Sequence, residues 1–302
     1  MSAGFDARAL GELLDGLARF SAPGRGVTRF AYDAAWRDAH AWLRGEARAR
    51  GLAATPDAAG NLYFHPPAVA PGTGAAVHLV GSHLDTVRDG GRFDGAYGAL
   101  AGLVLAAAHR DLPGPPVVGF VTCEEEQSRF NFPMLGARSL LGAVEAADLD
   151  RVHDDAGVSW RAARAEAEAA GCAAALAASG PPIVPPFRPA LALELHVEQG
   201  PVLEAEGAGL GIVTRIAGYR RLRARLTGEA RHSGTTPPAR RHDALAAAAE
   251  IALACETLAL EAGEPARVTA GNLRVTPGLY NVVPGAAELW LEVRHAEALA
   301  LA

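Results

Sequence analysis

Near the start of the chain apolar residues recur every three or four positions, with Leu10, Leu13, Leu14, Leu17 and Phe20 set among Asp6, Arg8, Glu12, Asp15 and Arg19. That period predicts an amphipathic helix with one buried stripe. From Val77 to Val87 the pattern becomes a nearly continuous apolar run, VHLVGSHLDTV, which predicts a strand buried on both faces. The Gly-rich loop DGGRFDGAYG follows, and then ALAGLVLAAAHR, a helix of small and apolar residues. A second strand is predicted at Val117 to Thr122, after the Pro-rich LPGPP, and it runs straight into the acidic cluster CEEEQSRF. Residues 160 to 180 read as an Ala-rich helical stretch, interrupted by Gly171 and closed by Gly180. PPIVPPFRP then acts as a linker to a third strand, Ala190 to Val197, which carries ELHVEQGP at its end. Repeated strand-loop-helix units of this kind predict an α/β sheet with its functional loops at the carboxyl ends of strands.

After Gly211 the order changes to strand, helix, strand, strand. Strand-like IVTRIAGYRRLRARLTG leads to the turn-rich HSGTTPP, a long helix from about Asp243 to Glu261, and two strands in RVTAGNLRVTP and AAELWLEVRH. This is most of a split β-α-β-β-α-β unit, without its second helix and last strand. A chain of 302 residues is long enough for two cores. The expected division is therefore residues 1–211 and residues 212–302.

Composition narrows the function classes. Alanine supplies much of the apolar half of the chain, so the mean hydropathy of +0.09 overstates the stickiness of the surface. A net charge of −6 without any block of basic residues gives no footprint for a phosphate backbone, which argues against a nucleic-acid partner. Cys123, Cys172 and Cys255 are odd in number and widely spaced, which argues against a disulfide frame and for the cytoplasm. The most apolar run, Ala99 to Ala108, is about half the length that spans a bilayer, so no membrane partner is expected.

Several residue patterns carry possible chemistry. In G-S-H-L-D-T, His83 and Asp85 point the same way if the segment is a strand, and an Asp so placed can orient a metal-binding His. Asp94 arrives on the Gly-rich loop before a helix, where a carboxylate can bridge cations; a helix N-cap is its plainer role. Glu124, Glu125 and Glu126 directly follow a buried strand, where adjacent carboxylates can divide into metal ligand and general base, or merely form a solvated loop. His196 and Glu198 alternate at the end of the third strand, before Gln199, and a His there can complete a His/Asp/Glu/His set suited to divalent metals. His232 in R-H-S-G-T-T-P can donate to an oxyanion, while Arg294 can grip a carboxylate and Asn281 lies in the turn Y-N-V-V-P-G. Each of these three reads equally as a surface residue. His40, His65, His78, His109, His153 and His242 have no patterned company.

The ordered blocks GSHLDT, GGRFDGAYGALAG, EEEQSRF, LGARSLLG, ELHVEQGPVLE, HSGTTPPARRHDALAAAAE and YNVVPG resemble a known family. It is that of the metal-dependent amidohydrolases that include N-carbamoyl-L-amino acid hydrolase, allantoate amidohydrolase and β-ureidopropionase. The resemblance implies a two-domain α/β fold: a zinc-peptidase-like catalytic domain with an inserted ferredoxin-like α+β lid that forms a homodimer. It also implies two divalent ions, zinc or manganese. His83 would bind one, Asp94 would bridge both, Glu126 would bind the second and His196 would complete the first. Glu125 would be the general base and Asp85 would orient His83. His232 would stabilise the oxyanion, Asn281 and Arg294 would bind the substrate with its carboxylate, and Gln199 would lie near the metals.

The reaction implied is hydrolysis of a small N-carbamoyl-amino acid or ureido substrate, allantoate-like, by metal-activated water. Three departures from the family pattern are visible. Gln127 stands where Gly is usual, which predicts a different backbone there, and Pro238 stands where Met is common. The family's further His ligand lies in a C-terminal segment past the end of this chain, so both domains would be incomplete and the second metal site impaired. A non-catalytic remnant of the family is one alternative reading. An aminoacylase or dipeptidase is another.

Overall fold

The computed structural model describes residues 5–176 and 186–301, so the helix end expected at Gly180 and most of the Pro-rich linker lie outside the described residues. The chain divides into two compact units, Met1–Pro201 and Val202–Ala302. The division falls ahead of the Gly211 expected from the pattern. The segment after Pro201 closes on itself, since Ala208 N–H bonds the Leu203 carbonyl at 2.8 Å and the Leu203 side chain packs on Gly211.

The first unit runs α1 (Ala7–Leu17), α2 (Ala34–Ala49), β1 (Ala53–Pro56), β2 (Leu62–His65), β3 (Ala76–His83), α3 (Ala96–His109), β4 (Val117–Thr122), α4 (Leu135–Leu140), α5 (Asp148–Arg151), α6 (Trp160–Ala169) and β5 (Arg188–Glu194). Its five-stranded sheet has the order β1-β2-β4-β3-β5. The β1/β2 and β2/β4 pairs are antiparallel, and β3 pairs in parallel with both β4 and β5. Helix α1 forms over the predicted stripe, with Asp6 capping it by accepting the Ala9 N–H at 2.9 Å. Helix α2 and strands β1 and β2 have no counterpart in the pattern analysis. The two strands are four residues each, too short to show a period, and the buried stripe of α2 interleaves Trp36 and Leu43 with Ala39, His40 and Ala47. Helix α6 stops well short of residue 180, because Gly171 takes φ +72° immediately after its cap.

Two strands end earlier than their apolar runs. β3 stops at His83 because Thr86 turns aside, its N–H to the Arg29 carbonyl at 3.1 Å and its Oγ1 accepting the Arg29 N–H at 2.9 Å. β5 stops at Glu194, leaving His196 on the following loop. Helix α3 lies against the sheet backbone-to-backbone: a Cβ on Gly98 would stand 1.9 Å from the Leu195 carbonyl oxygen, and one on Gly102 would stand 2.1 Å from that of Val80. Those two glycines set how closely the helix packs on the strand ends that bear the candidate ligands.

The second unit runs α7 (Val202–Glu206), β6 (Gly218–Thr227), β7 (Arg231–His232), α8 (Ala244–Ala262), β8 (Arg267–Thr276), β9 (Val282–Val283) and β10 (Ala286–His295). In its three-stranded sheet β10 lies antiparallel between β6 and β8, which is the split arrangement anticipated from the element order. Asp243 caps α8, accepting N–H bonds from Leu245 and Ala246 at 2.9 and 3.2 Å. Strands β7 and β9 form a separate two-stranded ribbon. Among the described residues no helix is long and apolar enough to cross a membrane.

Candidate metal centre

The parallel strands β3 and β5 are neighbours, and their carboxyl ends bring His83 and His196 face to face. The two Nε2 atoms are 3.3 Å apart, and Asp94 Oδ1 lies 3.1 Å from that of His196 and 3.7 Å from that of His83. Each Nδ1 is held by a main-chain carbonyl, His83 by Asp85 O at 2.9 Å and His196 by Val197 O at 2.8 Å. A carbonyl only accepts, so each Nδ1 carries the proton and each Nε2 presents a lone pair. Two lone pairs and a carboxylate oxygen thus converge, and Asp94 Oδ1 is buried without a hydrogen-bond partner. Such a set is repulsive alone and is satisfied by a divalent cation, so the donor set fits a metal.

Asp94 reaches this point because Gly95, at φ +62°, turns the chain into α3. A Cβ at Gly95 would sit 2.5 Å from the His83 ring, so both the backbone angle and the space require glycine. Gly95, not Asp94, is the N-cap of α3, and the Asp94 side chain is therefore left for other use. Its Oδ2 accepts a bond from Gln199 Nε2. Asp85 is fully buried, but its carboxylate lies 4.0 Å from His83 Nδ1 and instead accepts the Glu126 N–H at 2.9 Å. It is the Asp85 carbonyl, in the irregular turn after β3, that orients His83.

The three glutamates after β4 separate by environment. Glu124, at φ +54°, turns inward and is wholly buried, and its Oε1 accepts the N–H groups of Arg129 and Phe130 at 3.0 and 2.8 Å. Burial, and then the charge of Asp85, push its carboxyl up to about 8 against those two bonds. Glu125 approaches His83, while Glu126 lies within electrostatic reach of Asp94 and His83 but outside the cluster formed by His83, Asp94 and His196. Burial raises both glutamates, Glu126 to about 7 with help from the charges of Asp94 and Glu125. Glu125 Oε2 lies 4.0 Å from His83 Nε2. Burial alone would lower His83, but the charges of Asp85, Glu125 and Glu126 override it and raise its affinity for a proton. The carboxylate shifts reflect burial first and mutual repulsion second, and that of His83 reflects the negative charge around it. Gln127 takes φ +57°, a left-handed conformation that glycine adopts without strain.

No motif in the sequence singles out Glu194, yet Ser82 Oγ donates to its Oε1 at 2.6 Å and its charge raises Glu125. Its alternation with His196 and Glu198 was the available signal. In the second unit, His232 pairs with Val282 across the β7/β9 ribbon, and Ser233 N–H bonds the Asn281 carbonyl at 2.9 Å, so His232 and Asn281 are neighbours. His232 Nδ1 accepts the Gly234 N–H at 3.1 Å, which leaves the proton on Nε2 as an exposed donor. Arg294 lies on β10 instead, opposite Tyr219 and paired with Glu292 at 2.5 Å.

Comparison with known proteins identifies the family. Residues 79–289 match the model of peptidase family M20/M25/M40. The chain is 37% identical to an N-carbamoyl-L-amino-acid amidohydrolase of Paenarthrobacter aurescens over 94% of its own length and 68% of the relative's. It is 34% identical to an allantoate amidohydrolase of Bacillus subtilis over the same shares of the two chains. A crystal structure of a hydantoinase/carbamoylase family amidase from Burkholderia ambifaria superposes with a TM-score of 0.79 at 33% identity, covering 98% of this chain and 71% of that one.

Proposed function

The chain belongs to peptidase family M20/M25/M40, among its hydantoinase/carbamoylase amidases, and from that premise we propose that it is a metal-dependent hydrolase of C–N bonds other than peptide bonds. Its substrates are N-carbamoyl-amino acids or related ureido acids such as allantoate. The observation that carries this reading is the convergence of the His83 and His196 Nε2 lone pairs on an unpartnered Asp94 oxygen.

His83, Asp94 and His196 would hold one divalent cation, zinc or manganese, and Glu126 would help hold a second, at a site short of the family's further His ligand. Bound cations supply the Lewis acidity that polarises a carbonyl and makes water acidic enough to attack near neutral pH. Glu125, whose burial favours its protonated form, receives the proton of the attacking water and passes it to the leaving nitrogen. Asp85 fixes the Glu126 backbone and, through its carbonyl, His83; Gln199 steadies Asp94. The Nε2–H of His232 suits a developing oxyanion, and Asn281 and Arg294 suit the substrate's polar end and carboxylate. For an N-carbamoyl-amino acid, one water is consumed as the carbamoyl C–N bond breaks, giving the amino acid, ammonia and CO2. The free cysteines support a cytoplasmic setting. The exposed Leu253, Leu258 and Leu260 of α8 support a homodimer through the second unit.

The test offers the zinc- or manganese-loaded chain an N-carbamoyl-L-amino acid, allantoate and the matching N-acetyl amino acid. Ammonia release from either of the first two, abolished by Glu125→Gln at unchanged metal content, is the expected result. Cleavage of the N-acetyl compound alone would place the chain with the aminoacylases. Full metal loading without turnover of any of the three would favour a non-catalytic member.

A further inference from the structure

The acidic loop that carries Glu125 and Glu126 is held from beneath by a buried amide that neither binds nor faces the metal centre. We infer that Asn61, braced by Asp57, is a positioning residue that sets where the two glutamates stand. The inference rests on the metal role proposed for Glu126.

Asn61 is 1% exposed and uses its whole side chain. Its Oδ1 accepts the N–H of Cys123 at 2.9 Å, directly before the acidic run, and its Nδ2 donates to the Gly136 carbonyl at 3.2 Å. The same Nδ2 donates to Asp57 Oδ2 at 2.8 Å, which also takes the Tyr63 hydroxyl at 3.2 Å. Asp57 Oδ1 accepts the N–H groups of Ala59 and Asn61 at 2.9 and 3.0 Å, so the amide's orientation is itself fixed. Gly136 then closes on Cys123, N–H to carbonyl at 2.8 Å, and Leu135 N–H bonds the Glu124 carbonyl at 3.1 Å.

One planar group therefore ties together both ends of the segment from Cys123 to Gly136. Four residues within that segment, Glu124, Gln127, Asn131 and Met134, hold left-handed φ of +50 to +57° without being glycine. Conformations of that kind persist only where the surroundings over-determine them. Gly136 shows how tight the fit is, since a Cβ there would stand 2.2 Å from Asn61 Oδ1 and 2.7 Å from the Cys123 backbone. A turn residue of purely local purpose needs none of these bonds to a segment more than sixty positions along the chain.

The experiment titrates the metal-free chain with Co2+, following its visible absorption, in the wild type, Asn61→Ala, Glu126→Gln and the milder Tyr63→Phe, with circular dichroism to confirm folding. Asn61→Ala is expected to lower Co2+ affinity by about tenfold or more, the usual cost of losing a group that orients ligands, and to alter the absorption band. Tyr63→Phe loosens Asp57 alone and should give a smaller shift in the same direction, which keeps the test valid if Asn61→Ala fails to fold. If Glu126→Gln weakens binding while folded Asn61→Ala or, in its place, Tyr63→Phe leaves affinity and spectrum at wild-type values, the positioning role is overturned. If Glu126→Gln itself changes nothing, the metal role of Glu126 fails first.

Discussion

His40 should make the fold sensitive to acid. Its ring is wholly buried on α2, 4.8 Å from the Trp36 ring, with Arg44 one turn on. Burial and then the Arg44 charge pull it from 6.5 to about 3; the Gly60 backbone offsets part of this, although neither ring nitrogen has a partner at hydrogen-bonding geometry. A base with a depressed folded pKa lends stability that is complete above its unfolded pKa and is lost as pH falls toward the folded one. Between pH 6.5 and 4.5 the unfolded chain takes a proton that the native core refuses, which costs about 3 kcal/mol at 1.36 kcal/mol per unit. His40→Leu replaces the imidazole with an apolar side chain of roughly similar size and removes this titration. Urea unfolding at pH 7.5 and 4.5 should show the gap between variant and wild type widening by that amount at the lower pH. Comparing the two proteins at each pH cancels groups common to both, including Asp57, whose effect runs the other way. A gap that stays constant would refute the reasoning.

Other expectations are as direct. Asp57, raised to about 6 chiefly by burial, lends stability below its unfolded value near 3.8 that is lost as pH rises through about 6, so Asp57→Asn should flatten the stability profile over that window in the same unfolding assay. Gly95→Ala places a methyl group against the His83 ring at an unfavourable φ, and Co2+ titration should show metal affinity reduced by at least about tenfold; unchanged affinity would mean that the ring can move aside freely. Gln127→Gly relieves a left-handed residue and should stabilise the folded chain by about 1 kcal/mol, read as a rise in thermal midpoint. His196→Ala removes one of the two converging lone pairs and should abolish binding of the first cation, measured by metal content after dialysis.

The strands and helices that bear the candidate ligands could be read from the chain because their signals are long: the eleven-residue run from Val77 to Val87 carries His83 and Asp85, and another strand meets three glutamates. What the pattern hid was short or mixed. β1 and β2 offer four residues each, and α2 buries a histidine and alanines where a hydrophobic period is sought. The roles within the site were harder still, because they depend on where strands stop. Had β3 run on to Val87, His83 and Asp85 would have shared a face as the two-residue period suggests. The turn at Thr86 gives the imidazole a carbonyl instead and sends the carboxylate to the Glu126 backbone.

The adjacency of β3 and β5 has a consequence for the order in which the molecule assembles. His83 and His196 stand 113 positions apart in the chain, and only pairing of β5 on β3 brings them together, a closure whose entropy must be met before any contact rewards it. The proposed cation site should therefore mature late, with metal added during refolding taken up after most secondary structure has formed. Once bound, a cation that recognises only the native arrangement holds down the strand that closed last. Amide exchange should accordingly slow along β5 when metal is added, while β1 and β2, at the opposite edge of the sheet, keep the rates they had without it.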